Sequence, residues 1–168
     1  MSEDFDILLF KDAIPLPAAP RDVRATAAIA ASHAQRDIVT GELRGLALLT
    51  FHDASLRVWV LQGTPPAPID DVVRSLAARS ACDALAFIHP MPVPPEVPAD
   101  RAVNVAVEAA DGAIDILYAL RGRHGEPGAT FQIFQRPRGD ARRWLGVPPT
   151  VTVELRREDP RGPPEGEA

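Results

Sequence analysis

The sequence predicts a single-domain α+β fold, in which a mixed, mainly antiparallel sheet and two helices form a two-layer sandwich. Three observations predict it. Several runs alternate apolar and polar residues, two segments repeat apolar residues at helical spacing, and one helix joins two strands as a β-α-β crossover. A chain of 168 residues can bury a sizeable core. We expect this domain over residues 1–157 and a disordered, charged, Pro/Gly-rich tail over 158–168.

The N-terminal third is predicted to contain a strand, a helix and a hairpin. Residues 5–10 form a short apolar run that indicates an edge strand, because prolines follow it. Residues 20–38 repeat alanine and other apolar residues at helical spacing. The apolar runs 43–51 and 56–61, separated by four residues, predict a β-hairpin. The first of these two runs is apolar at nearly every position, which is typical of a strand covered on both faces.

The clearest helix covers residues 68–81, where apolar side chains recur every three or four positions. It leads into residues 83–89, a run typical of a buried central strand. Strand–helix–strand crossovers make their two strands parallel, so strand 56–62 and strand 83–89 should run in the same direction. We expect both predicted helices on the same face of the sheet.

A second hairpin is predicted from two alternating runs, 103–108 and 114–120, around an Asp-Gly dipeptide at 111–112. That dipeptide favours a two-residue type I′ turn, which fixes the pairing of the strands. The resulting register sets Glu108 opposite Asp115. Like charges at that position are unfavourable, so we expect a neighbouring arginine or solvent to compensate them, with a bound cation as the alternative.

The amino-acid composition limits the classes of function that this protein can have. The net charge of −5 argues against non-specific nucleic-acid binding by the whole surface. Only Lys11 among the 18 basic residues is a lysine, a bias that indicates a GC-rich bacterial genome. The single cysteine, Cys82, excludes an intramolecular disulfide and is expected to pack as a small apolar side chain. With no apolar run long enough to span a membrane and an acidic N-terminus, we expect a cytoplasmic protein.

Candidate chemistry centres on His89, at the end of the predicted central strand. Ligands of sheets with parallel strands bind beyond the carboxyl ends of those strands. The expected topology gathers His89, Asp100, Arg101 and Arg121 there, beside the N-terminus of the second helix. His89 and Asp100 are the candidate catalytic residues, as a base and the group that orients it, and the arginines could hold an anion. The sequence contains no metal-site or cofactor motif, so neither is predicted.

A basic segment supports a different class of function. Residues 121–143 carry a net charge of +4, so the remainder of the chain carries −9. Together with Arg101, the candidate anion- or partner-binding residues are the arginines of this segment: Arg121, Arg123, Arg136, Arg138, Arg142 and Arg143. They could bind a phosphate backbone or an acidic protein, or pair with acidic groups of the same chain. Trp144, which follows them, either joins this patch or fills the core.

Three functions remain open on these observations. The leading hypothesis is a non-catalytic module that binds another protein or its own copy, because no catalytic motif occurs in a well-patterned chain. The second is a small enzyme or anion-binding protein that uses the region around His89. The third is a nucleic-acid-associated factor that uses the basic segment. The sequence names neither a ligand nor a pathway.

Overall fold

A computed structural model describes residues 5–40, 46–65, 67–121, 129–139, 143–153 and 156–157. Within these ranges there are eight strands and two helices: β1 (Asp6–Pro15), α1 (Val23–Thr40), β2 (Leu46–His52), β3 (Ser55–Gln62), α2 (Ile69–Ser80), β4 (Ala84–Met91), β5 (Arg101–Ala109), β6 (Gly112–Arg121), β7 (Ala129–Gly139) and β8 (Arg156–Arg157). The predicted α+β class, with a mainly antiparallel sheet and two helices, is confirmed. The predicted tail 158–168 lies outside the described residues.

The strands form one sheet in the order β7-β6-β5-β4-β2-β3-β1-β8. Neighbouring strands pair antiparallel from β7 through to β1, and only the two-residue β8 pairs parallel, with β1. Strand β4 lies in the interior, as its apolar sequence predicts. Strands β3 and β4 both pair antiparallel with β2, so they run parallel to each other with β2 between them.

The two helices pack on opposite faces of the sheet. Successive side chains of a strand point to opposite faces, and in β2 Leu49 belongs to the core cluster that contains Ala30 of α1. Its neighbour Leu48 belongs to a second cluster, which contains Leu76 of α2. The expectation of two layers with both helices on one face is therefore wrong. Because the central strands are apolar on both faces, a helix on only one side would leave a hydrophobic surface in water.

Acidic side chains fix the start of α1. The backbone N–H of Ala25 donates to the Asp22 carboxylate at 2.7 Å, the hydrogen bond of an N-cap residue. The N–H of Val23 donates to Asp111 Oδ1 at 2.8 Å, from the turn between β5 and β6. This second bond joins residues 88 positions apart in the sequence and attaches the start of α1 to the hairpin of β5 and β6.

The observed register of the hairpin formed by β5 and β6 differs from the predicted one. The turn consists of Ala110 and Asp111, with Ala109 paired to Gly112, so the strands are offset by two residues from the expected pairing. Glu108 lies opposite Ala113 rather than Asp115. A shift of two residues keeps every side chain on its predicted face, so the hydrophobic pattern alone does not distinguish the two registers.

Two further segments differ from what their sequence patterns indicate. The loop of the first hairpin has two residues, Asp53 and Ala54, because His52 pairs with Ser55. Residues 151–153, although Val151 and Val153 alternate with Thr152, form no strand, and β8 comprises Arg156–Arg157. No helix in the described part of the chain is both long enough and apolar enough to cross a membrane.

Candidate functional site

A buried glutamate organises the face of the sheet that α2 covers. Glu108 in β5 is fully buried. Its carboxylate accepts three backbone N–H groups, from Arg143 at 2.7 Å, Trp144 at 3.1 Å and Leu145 at 2.9 Å. A carboxylate that accepts several N–H bonds compensates for the water it has lost, so the buried charge is satisfied by the backbone of a distant turn.

We call residues 143–153 the C-terminal strap, because this segment lies over the α2 face of the sheet. Besides Glu108, two arginines of α2 hold it. Arg74 Nε donates to the carbonyl oxygen of Arg143 at 2.6 Å, and Arg79 donates to the carbonyl oxygen of Val153. The strap is therefore attached through its backbone at both ends.

Trp144 is the side chain that the strap inserts into the core. It is 2% exposed, and its indole N–H donates to Asp70 Oδ1 at 2.9 Å. Its ring meets the Phe87 ring edge-on at a centroid distance of 5.7 Å. Of the two roles open to Trp144, filling the core is therefore the one that the structure supports. Asp70, in the first turn of α2, has a structural partner as well as the favourable position at a helix N-terminus.

The side chain of Arg143 places a positive charge beside Asp115. Its guanidinium lies 4.7 Å from the Trp144 ring centroid, in a cation–π contact, and 3.6 Å from Asp115 Oδ1. In β7, Arg136 is the cross-strand neighbour of Asp115. Glu108 and Asp115 do not face each other, so the repulsion that an arginine or solvent was expected to compensate does not arise. The Arg143 guanidinium lies near Asp115, and its backbone N–H donates to Glu108.

His89 is half-buried at the end of β4, on the same face as Phe87 and Trp144. Its Nε2 lies 3.4 Å from Asn104 Nδ2, and its Nδ1 lies 3.3 Å from the carbonyl oxygen of Pro90. Burial lowers the pKa of His89 below its usual 6.5 and the charge of Arg143 adds to this, whereas the Pro90 hydrogen bond and Asp115 act in the opposite direction. The ring is therefore favoured in its neutral form.

The predicted site residues are only partly gathered around His89. Asn104, which the sequence reasoning missed, contacts the imidazole, and Asp100 is exposed in the loop before β5. The direct cross-strand partner of His89 is Asn104, which could have been found only from the correct β4–β5 register. Arg101 is half-buried at the start of β5, opposite Leu120.

Three of the other predicted arginines lie in β6 and β7, at one side of the sheet. Arg136 is exposed in β7, and Arg138 follows it in the same strand. Arg121 is the last residue of β6, next to β7. Arg123 and Arg142 lie outside the described residues. Three of the six arginines thus belong to the last two strands at this side of the sheet.

Strand β7 forms that edge. It has 11 residues, pairs with β6, and has no strand neighbour on its outer side among the described residues. The pairing with β6 shifts register twice, between Leu117 and Tyr118 and between Ala113 and Ile114 of β6. An edge strand presents backbone N–H and C=O groups that another extended segment can pair with. Pro137 lacks an N–H, so strand addition is best suited to residues 129–136.

Cys82 lies beside an apolar groove of about 340 Å³ between the end of α2 and the strap. Burial raises the pKa of its thiol from 9.0 to about 11. A thiol with so high a pKa is rarely ionised and reacts slowly. The expected packing role of Cys82 agrees with this environment. Within the described ranges, no three His, Cys, Asp or Glu side chains are grouped as metal ligands.

No protein-family model, curated protein or solved structure matches this chain.

Proposed function

We propose that this protein is a non-catalytic interaction module that binds an extended segment of another protein along the outer edge of β7. The observation that carries the proposal is the position of β7, an 11-residue strand at the end of the sheet order. Strand addition of this kind draws its affinity from main-chain hydrogen bonds and its specificity from neighbouring side chains. Such binding requires a rigid sheet and no catalytic groups.

The contacts around the strap support a binding rather than a catalytic role. Glu108 is engaged with backbone N–H groups, Asp70 with the Trp144 indole, and Arg143 with Asp115. Each of these side chains belongs to a residue type that enzymes use, and each has an intramolecular partner that stabilises the fold. These contacts hold the strap against the same sheet that presents β7.

Backbone pairing can be tested directly with peptides selected from a displayed library of twelve-residue sequences. For a selected peptide, nuclear magnetic resonance should show shift changes in residues 129–136 and slower exchange of outward-facing amides there. Two N-methylated versions of the same peptide, alternately substituted on odd or even residues, form the matched pair. Only one of them should lose binding, because only one set of N–H groups in an extended strand faces its neighbour.

Two results would reject this proposal. Equal loss of binding in both N-methylated versions would indicate side-chain recognition without strand pairing. Shift changes confined to the groove beside Cys82 or to the surroundings of His89, with β7 unchanged, would place the binding surface elsewhere.

A second candidate function is an anion site beside His89, favoured by one chain of contacts. His89 contacts Asn104, Phe87 lies between His89 and Trp144, and Arg143 stacks on Trp144. Arg143 is near enough to His89 for its charge to lower the pKa of the ring, and an amide and a guanidinium on one face of the sheet could hold a carboxylate or a phosphate. Titration with inorganic phosphate, followed through the His89 ring resonances, tests it. Saturable shifts that disappear in Arg143→Gln would support an anion site, and unchanged resonances up to high phosphate concentration would remove it.

A further inference from the structure

We infer that the segment bound by β7 is acidic, an extended stretch of another protein that carries Asp or Glu at alternate positions. This inference rests on the proposed function and names the chemistry of its partner. It follows from the charges on the strand. Residues 129–139 contain Arg136 and Arg138 and no acidic residue. The surrounding segment 121–143 carries +4 in a chain whose net charge is −5.

The position of Arg136 also favours an acidic residue in the added strand. Arg136 is exposed and has Asp115 as its neighbour in β6, so its side chain lies on the face that carries the strap. A strand added outside β7 would place one residue directly across from Arg136. Oppositely charged cross-strand pairs are favourable and like-charged pairs unfavourable. A carboxylate at that position would leave Arg136 between two acidic groups, whereas a basic residue would add repulsion.

The positive charge of β7 disfavours a second copy of this chain as the occupant. Two β7 edges paired with each other would bring four arginines, Arg136 and Arg138 of each copy, onto one joined ribbon without any acidic residue from either strand. An acidic segment of a different protein fits the charge of this edge.

Three acetylated ten-residue peptides test the inference on the full chain. They alternate valine with glutamate, glutamine or lysine, so they share length and backbone and differ in charge. Binding should follow the order acidic, neutral, basic, with roughly tenfold between the extremes for two cross-strand charge pairs. The advantage of the acidic peptide should largely disappear in roughly 0.5 M salt, about three times the ionic strength of a physiological buffer, because exposed charges are screened.

Two single-residue variants test whether the preference for an acidic peptide depends on Arg136. Arg136→Gln should weaken the acidic peptide about two- to fivefold and leave the neutral peptide unchanged. Arg24→Gln is the matched control, since Arg24 is an exposed arginine of α1 and the same charge is removed. A circular dichroism melt of each variant verifies that the fold is retained. If Arg136→Gln did not fold, the salt dependence of the three peptides on the natural chain would still decide the matter.

The outcomes separate the two proposals. Equal binding of all three peptides along β7 would keep strand addition and overturn the acidic partner. No perturbation of β7 by any peptide would overturn both. A concentration-dependent dimer that protects the β7 amides would make a second copy the occupant. Tighter, salt-dependent binding of a thymidine oligonucleotide, lost in Arg136→Gln, would replace the acidic protein with a nucleic acid.

Discussion

Replacing Glu108 by glutamine tests the claim that one buried carboxylate holds the strap. The change preserves size and removes the charge. A glutamine carbonyl oxygen could still accept the N–H groups of Trp144 and Leu145, which both point to Oε1. The amide nitrogen would then face the Arg143 N–H, now 2.7 Å from Oε2, so two donors would meet. Glutamine, although it has nearly the same shape, is therefore a poor replacement for Glu108.

The magnitude follows from the bonds that change. One charge-assisted hydrogen bond is lost, which costs about 1.5–3 kcal/mol, and a buried N–H is left unsatisfied at about 1–3 kcal/mol. Removing a buried charge recovers part of its desolvation cost. We therefore expect a net loss of about 2–4 kcal/mol in the free energy of unfolding. For a domain of this size that corresponds to a fall of roughly 5–15 °C in Tm.

Urea unfolding, followed by far-ultraviolet circular dichroism and tryptophan fluorescence, measures this loss. Glu96→Gln is the matched control, because Glu96 is exposed and surface changes usually stay within about 0.5 kcal/mol. A loss below about 1 kcal/mol in Glu108→Gln, similar to that of the control, would show that the three N–H bonds do not hold the strap in solution.

Three further predictions concern groups on the same face. Trp144→Phe should cost about 1–3 kcal/mol in urea unfolding, because it leaves Asp70 without the indole donor and removes ring area beside Phe87; equal stability would contradict the burial of the indole. Since the folded-state pKa of His89 is lowered, the unfolded chain binds the proton more readily, so stability should be full above about pH 6.5 and fall as the pH drops through the lower folded value. His89→Gln should flatten that part of the profile, and an unchanged slope would refute the assignment. Cys82, with a thiol pKa of about 11, should react with a disulfide reagent at pH 8 roughly a hundredfold more slowly than in the urea-unfolded chain, and equal rates would show an accessible thiolate.

Local patterns were sufficient for the elements whose apolar spacing is unambiguous. The helix predicted at 68–81 occupies Ile69–Ser80, and the central strand predicted at 83–89 occupies Ala84–Met91. Both segments are decided by their own sequence. The burial of β2 on both faces was also visible in its composition. That observation already required a layer on each side of the sheet, and following it through would have corrected the two-layer prediction.

Long-range contacts explain the errors. The hairpin register depends on which residues form the turn, and Asp111 is held there by the N–H of Val23 at the start of α1. No local pattern contains that contact. The strap posed the same difficulty, because Glu108 and Trp144 are 36 positions apart and meet only after the sheet has formed. The predicted pairing of Glu108 with Asp115 left arginine, solvent or a cation open as compensation, and only the fold places Arg143 beside Asp115.

The strap and the β7 edge share one acidic group, Asp115. A single substitution there tests both the attachment of the strap and the binding of an acidic segment. Asp115 pairs with Arg143 of the strap and is the cross-strand neighbour of Arg136 on β7. Asp115→Asn removes the charge that attracts both arginines, so the strap should be held less firmly and the protein should be slightly less stable. The positive potential at the edge should rise, so an acidic peptide should bind more tightly. Structural and binding roles therefore predict opposite signs for one substitution. A variant that lost both stability and peptide affinity would show instead that β7 binds only when the strap holds the sheet rigid.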